Sequence, residues 1–334
     1  MKRSKLIIGI EDVQLSKQDV QLLRFLRPCG VILYSRNFDD GKNWFKWYER
    51  LVNDICKNLE TRSVILSVDH EGGRVIRFPS PFTRFPYPQD YGNFAYEVAA
   101  QMAEELKCAG INLTYSPCVD IDSNPHNPVI GKRAFSSDPS DVVTKAKNFL
   151  KGLADVGICG CLKHYPGHGD TSQDSHHSLP VVRKTILELE SCELIPYKEL
   201  AKDAKFVMTA HVLFPSIDDR PATLSMIFME YLKGELKFPG FIICDDIEMK
   251  ALDSFPPDDL IKNLSEVGVD LILYSRNEKL FDEYFLKLSI DKQVQNIALN
   301  QVEFLEEFTV NFFELRAEIF EKGKILLDTI LQSR

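Results

Sequence analysis

Histidines and carboxylates gather in a few short stretches of this chain. Four of its seven histidines, His164, His168, His176 and His177, fall within the fourteen residues 164–177, in the stretch Lys163-His164-Tyr165-Pro166-Gly167-His168-Gly169-Asp170-Thr171-Ser172-Gln173-Asp174-Ser175-His176-His177. Asp174 and His176 stand two apart, so an extended backbone puts both side chains on one side. A carboxylate placed there fixes the imidazole tautomer and stabilises the imidazolium, as a general acid/base requires. The competing chemistry is a metal site built from His164, His168, Asp174 and His176. Pro166 and Gly167 break the helix that would bring His164 and His168 to one face, which favours proton transfer over a metal.

Two other stretches carry acids. Asp245-Asp246 ends an apolar run, and neighbouring strand residues face opposite sides, so only one of the pair looks inward. A lone inward Asp can attack an anomeric carbon; two carboxylates can also bind a cation, and the bland alternative has Asp246 capping a helix with Asp245 in an ion pair. Asp69-His70-Glu71-Gly72-Gly73-Arg74-Val75-Ile76-Arg77 sets an Asp and two arginines around a Gly-Gly turn, suited to bidentate hydrogen bonds with vicinal hydroxyls. There is no Gly-x-Gly-x-x-Gly or Walker pattern, so no nucleotide cofactor is expected.

The elements that must position these residues recur along the chain as apolar run, polar loop, helical pattern. Eight runs, over 5–10, 30–35, 63–69, 111–116, 158–164, 206–211, 241–246 and 269–275, are rich in Ile, Val and Leu and mostly continuous, as strands buried on both faces are. Helices are predicted over 16–27, 42–58, 96–109, 141–155, 185–202, 226–236 and 257–267, several closing on a glycine (Gly30, Gly110, Gly157, Gly240, Gly268) in the left-handed conformation. Strict alternation implies parallel strands with right-handed crossovers. The fold class is therefore α/β, a single (β/α)8 TIM-type barrel over residues 1–290, with C-terminal helices over 291–334 packed on the same domain; a doubly wound open sheet is the second choice. The hexapeptide Ile32-Leu33-Tyr34-Ser35-Arg36-Asn37 recurs as Ile272-Leu273-Tyr274-Ser275-Arg276-Asn277, as two equivalent strand-to-loop units would produce. In such a barrel the chemistry belongs to the loops after the strands. The polar residues found there are Asp69-His70-Glu71, Asp120 and Asp122, Lys163-His164, His211, Asp245-Asp246 and Arg276.

Composition narrows the function classes. The 334 residues carry 49 acidic and 40 basic side chains, a net charge of −9, and no Lys/Arg run, which leaves no electrostatic footprint for nucleic acid. No apolar stretch approaches the ~18 residues of a membrane span, and the five-residue run after Met1-Lys2-Arg3-Ser4-Lys5 is too short for a signal peptide. A cytoplasmic protein with no membrane, nucleic-acid or obligate protein partner is expected. The eight cysteines include no CxxC pair and are expected to be reduced, structural thiols.

The sequence resembles glycoside hydrolase family 3, and within it the single-domain bacterial β-N-acetylglucosaminidases of peptidoglycan recycling. The resemblance rests on Asp69-His70-Glu71-Gly72-Gly73-Arg74-Val75, on 127–135 (Asn-Pro-Val-Ile-Gly-Lys-Arg-Ala-Phe), on 163–180, on Val207-Met208-Thr209-Ala210-His211, on Pro221-Ala222-Thr223-Leu224-Ser225 and on Cys244-Asp245-Asp246-Ile247-Glu248-Met249-Lys250, in order over roughly residues 5–280. It implies a barrel enzyme that removes terminal β-linked N-acetylglucosamine with retention, from fragments carrying 1,6-anhydro-N-acetylmuramic acid with or without peptide, and without a cofactor or metal. By motif, Asp245 is the implied nucleophile, and His176 the implied acid/base, oriented by Asp174. Asp69, Arg77, Arg133, Lys163 and His164 are implied to hold the sugar.

A His-Asp dyad would then replace one of the two carboxylates of common retaining hydrolysis, and its glycine-rich loop implies that closure gates the reaction, with Gly169 as the position to test. His70 and Cys244 depart from the family's usual Gln and small hydroxyl residue; His70 is expected to be able to alter sugar contacts. Two rival activities stay open: a metal-dependent barrel hydrolase using His164, His168, His176 and Asp245, and a phosphorylase acting on the same sugar. A non-catalytic sugar-binding protein is weakened by the presence of Asp174, His176 and Asp245 together.

Overall fold

Each predicted apolar run becomes a strand in the computed structural model, which describes residues 3–276, 307–312 and 316–333 apart from 40 and 42. The strands are β1 (Ser4–Gly9), β2 (Pro28–Leu33), β3 (Ile65–Val68), β4 (Leu113–Thr114), β5 (Cys159–Tyr165), β6 (Phe206–Thr209), β7 (Phe241–Cys244) and β8 (Leu271–Tyr274). Each pairs in parallel with the next, and β8 returns to β1 with Leu6 opposite Ile272, closing the barrel. The open-sheet alternative is thereby excluded.

Side chains alternate between two cores, as the pleat requires. Ile7, Ile32, Ile65, Leu113, Cys161, Phe206, Met208, Ile243 and Leu271 point into the barrel, while Leu6, Ile8, Leu66, Leu162, Ile242 and Ile272 face the helices. Cys159 and Cys161 point the same way, into the interior, and all eight cysteines are free. Phe308 packs on Phe206 while its carbonyl accepts the Val64 N–H at 2.8 Å, at the start of β3; it plugs the barrel's base, opposite the loops that follow the strands.

The helices are α1 (Lys17–Leu26), α2 (Trp44–Leu59), α3 (Ala95–Cys108), α4 (Pro139–Val156), α5 (Ile186–Glu190), α6 (Ile195–Leu200), α7 (Met226–Glu230), α8 (Pro257–Glu266) and the C-terminal α9 (Ala317–Gln332). Two depart from the sequence reading. The helix predicted over 185–202 is split into α5 and α6, with Pro196, which has no N–H to donate, inside the first turn of α6. That predicted over 226–236 is α-helical only through Glu230 and continues as a π turn over Tyr231–Glu235.

The glycine closures are also only partly as predicted. Gly110, Gly157 and Gly268 have positive φ, but after α1 the left-handed residue is Arg27 (φ 48°) and before β7 it is Lys237 (φ 53°). Gly30 and Gly240 serve close approach instead: a Cβ on Gly30 would lie 2.9 Å from the Ile65 Cβ, and one on Gly240 2.3 Å from the Lys205 carbonyl oxygen.

α9 lies against α3, where Gln101 donates to the Ile319 carbonyl at 2.7 Å. The predicted boundary at 290 and the start of the tail lie outside the described residues. Among the described residues no helix is long and apolar enough to cross a membrane.

Candidate active site

The alternation of β3 continues past its end and sorts the Asp69-His70-Glu71 triplet. Asp69 and Glu71 line the cavity at the barrel mouth, while His70 turns outward and packs edge-on against Phe78 and Phe82. His70 thus does not line the cavity, and any effect on sugar contacts would have to pass through Asp69 and Glu71 beside it. Cys244, likewise, is buried in the outer core.

The inward carboxylates meet the cations predicted to hold a sugar. Lys163, at the end of β5, places its Nζ 2.8 Å from Asp69 Oδ1 and 2.7 Å from Glu71 Oε1. Arg133 grips Glu71 in a bidentate pair, Nε to Oε2 and Nη2 to Oε1, both at 2.8 Å. Arg77 reaches Asp69 at a looser 3.5 Å. Glu71 and Lys163 are buried. Burial opposes ionisation of both, yet Arg133 and Lys163 hold the Glu71 carboxyl well below its usual range, and Asp69 and Glu71 hold the Lys163 ammonium up.

Asp120, two residues beyond Cys118 in the segment after β4, anchors the histidine stretch. Its Oδ2 lies 2.7 Å from His164 Nδ1, and its Oδ1 accepts the His168 N–H at 2.7 Å. Burial pushes this carboxyl up, but the His164 imidazole and the His168 N–H outweigh it and leave it at about 2.

β7 delivers Asp245 into the cavity, as Ile243 two residues earlier points into the barrel. Burial acts to raise its pKa; the charges of His164 and His211, the Asp246 N–H and Lys163 bring it below the usual value instead. Asp245 forms no ion pair among the described residues. Asp246 caps no helix, contrary to the bland alternative: its carboxylate accepts the Glu248 N–H at 3.1 Å and the Ser275 N–H at 3.2 Å, tying the loop after β7 to that after β8. His211 is buried outside the cavity, its Nε2 3.1 Å from the Asp246 carbonyl.

His176 and Asp174 lie on the exposed loop after β5, with Nδ1 and Oδ1 2.7 Å apart. The Asp174 carboxylate also accepts the His176 N–H at 2.9 Å. Burial tends to raise Asp174, and these hydrogen bonds bring it below its usual value. The imidazole is 62% exposed. The loop is fastened at two points: His168 Nε2 lies 3.1 Å from Ser175 Oγ, and the Ala251 N–H donates to the Ser175 carbonyl at 3.2 Å. Gly169 is no hinge. A Cβ there would lie 1.7 Å from the Ile121 carbonyl oxygen, so a proline at Gly169 breaks packing and cannot test loop closure.

One cavity of about 470 Å3 is lined by all eight predicted residues: Asp69, Arg77, Arg133, Lys163, His164, Asp174, His176 and Asp245. Sequence reasoning gave no role to Glu71 or Asp120, although both stood among the strand-end polar residues. The metal set of the rival reading does not gather: among the described residues, the His, Cys, Asp or Glu group whose ligand atoms lie within 4.8 Å of one another is Cys118, Asp120 and His164. His168 instead spends its ring nitrogens on Thr171 and Ser175, and burial and the nearby His164 lower it to about 4.

His70 sets a pH dependence of stability. Both ring nitrogens are buried without a hydrogen-bond partner among the described residues, and burial lowers it from 6.5 to about 4. The unfolded chain therefore takes up the proton first as pH falls, and stability drops between pH 6.5 and 4, by up to roughly 3 kcal/mol. Chemical denaturation at pH 7.5 and pH 5 should show a smaller loss for His70→Leu than for wild type. Equal losses would place the titration elsewhere.

The glycosyl hydrolase family 3 N-terminal domain matches residues 7–308, and the chain belongs to that family of glycoside hydrolases. Within it the chain sides with the β-hexosaminidases: it is 35% identical over 282 residues to the beta-hexosaminidase of Alkalilimnicola ehrlichii (80% of this chain, 79% of that one) and 35% identical over 298 residues to that of Neisseria meningitidis (84% and 80%). Among solved structures it is similar to NagZ from Neisseria gonorrhoeae in complex with N-trifluoroacetyl-D-glucosamine, with a TM-score of 0.82, 27% identity and 99% of each chain covered.

Proposed function

We propose that this chain is a retaining β-N-acetylhexosaminidase that releases terminal N-acetylglucosamine from muropeptide fragments, N-acetylglucosaminyl-1,6-anhydro-N-acetylmuramic acid with or without peptide. The observation that carries the reading is the pairing, in one cavity, of a half-buried carboxylate whose ionised form is favoured, Asp245, with an exposed imidazole backed by a carboxylate, His176 on Asp174. In the first step an Asp245 oxygen bonds to the anomeric carbon as the glycosidic bond breaks, and His176 gives its proton to the departing oxygen. In the second, the same imidazole removes a proton from water, whose oxygen displaces Asp245 and restores the β configuration. Asp174 holds Nδ1, leaving Nε2 to exchange the proton. Asp69, Arg77, Arg133, Lys163 and His164 hold the sugar's hydroxyls and acetamide. A cytoplasmic setting fits the eight free cysteines.

Proton NMR of the first-formed product tests the stereochemistry: the β anomer appears first, and initial α product would overturn the covalent route. Asp174→Asn tests the dyad. It should lower kcat by about 100-fold on a nitrophenyl glycoside, but far less on a dinitrophenyl glycoside, whose leaving oxygen needs little protonation. Equal losses on both would remove Asp174 from the proton transfer.

A further inference from the structure

The repeated hexapeptide has no part in the chemistry above, yet it delivers two arginines to one place. Its copies end β2 and β8, the two strands that flank β1, and Arg36 and Arg276 both line the cavity mouth. Arg36 crosses the end of β1: its Nε donates to the Ile10 carbonyl at 2.9 Å and its Nη2 to the Ser275 carbonyl. Gly9 makes that crossing feasible, since a Cβ there would lie 2.8 Å from Arg36 Nη2 and 1.9 Å from the Ser275 oxygen. The guanidinium also lies over the Tyr34 ring at 4.6 Å, and Arg77 lies over the same ring at 5.4 Å, so the pair adjoins the wall predicted to hold the sugar.

Both side chains are exposed, unlike Arg133 and Lys163. Among the described residues neither Arg36 nor Arg276 forms an ion pair. Glu248 and Asp19 are the acids that act on Arg36, and the Glu248 carboxylate accepts the Arg276 N–H at 2.5 Å. The two guanidiniums sense each other: after burial, the positive charge of Arg276 depresses Arg36. Two guanidiniums held side by side at a pocket mouth, one fixed by backbone carbonyls, present donors that a carboxylate can accept from.

We infer that Arg36 and Arg276 form a subsite for a carboxylate on the leaving group, which makes them specificity-determining residues of the proposed glycosidase. The inference deepens that reading and rests on it. Two sources share this chemistry, the lactyl acid of the muramic sugar and the acids of an attached peptide.

Calorimetry on an Asp245→Asn background, which holds substrate uncleaved, separates them with three ligands: N-acetylglucosaminyl-N-acetylmuramic acid, its lactyl methyl ester, and the same disaccharide amide-linked to an acidic tripeptide. One of the two acids should bind about fivefold more tightly than the ester at low salt, with the margin shrinking in 0.5 M salt, as screening demands (a Debye length of about 4 Å). Arg276→Gln should bring that ratio close to one, and Arg276→Lys should keep most of it. If neither acid outbinds the ester, or if Arg276→Gln leaves the ratio intact, the subsite is overturned. Wild-type hydrolysis of a neutral nitrophenyl N-acetylglucosaminide, run alongside, reports on the glycosidase reading separately.

Discussion

Asp245→Ala should lower nitrophenol release from 4-nitrophenyl β-N-acetylglucosaminide by roughly 10,000-fold, in buffer that contains EDTA and no phosphate. The expected size follows from position. Asp245 sits in the cavity with its ionised form favoured by neighbouring cationic and N–H groups, and no ion pair among the described residues competes for it. Removing it takes away the only proposed bond-forming atom, whereas removing a sugar-holding residue takes away one contact among several. Asp245→Asn keeps the shape and should lose a similar factor while still binding N-acetylglucosamine. The buffer decides between chemistries. Wild-type activity with EDTA present supports a metal-free nucleophile. Activity that returns only with added zinc favours the metal-dependent hydrolase. Activity that returns only with phosphate keeps Asp245 as nucleophile but changes the second acceptor from water to phosphate. A mutant as active as wild type would end the assignment.

Much of this site could be read from sequence because the barrel's geometry is local and repetitive. A strand buried on both faces must be apolar throughout, so the eight runs stood out, and the residue after each run must be polar where it enters solvent. The pleat then decides which of two neighbours faces inward, and Asp69 and Asp245 follow from counting. The same count, carried two residues further, reaches Glu71, but Glu71 precedes a Gly-Gly turn and the backbone's course there depends on distant contacts. The Tyr91 hydroxyl bonds the Glu71 carbonyl at 2.5 Å, and a Cβ on Gly72 would lie 2.4 Å from both that hydroxyl oxygen and the Pro86 carbonyl oxygen. Asp120 meets His164 across a separation of 44 residues, which no local pattern encodes. The split of the 185–202 helix was legible in Pro196, whereas the π turn after Glu230 follows from no residue that marks it. Gly30 and Gly240 are packing sites, and a glycine's type alone does not distinguish close approach from positive φ.

Glu71→Gln should destabilise the protein by about 3–5 kcal/mol, because it removes the shared carboxylate from two buried cations. Arg133 would lose its only ion-pair partner among the described residues, and Lys163 would keep Asp69 alone. For a chain of 334 residues the melting temperature should fall by about 4–7 °C. Binding should suffer too, since the guanidinium and ammonium that Glu71 fixes are those proposed to hold the sugar; kcat/KM should drop by roughly 100-fold, with part of the lost stability returned by saturating N-acetylglucosamine. The pH dependence gives an independent check. The folded value of Glu71 lies below its ordinary 4.5, so its stabilising contribution is fully present above that pH and is lost as pH falls toward the folded value. The gap between wild type and Glu71→Gln should therefore stay constant from pH 8 to pH 5.5 and narrow only in stronger acid. A gap below about 1 kcal/mol at neutral pH, the size of an exposed pair, would show that the network contributes orientation but little stability. A gap that widens in acid would mean that Glu71 is protonated in the folded protein, and that Asp69 alone carries the charge facing Lys163.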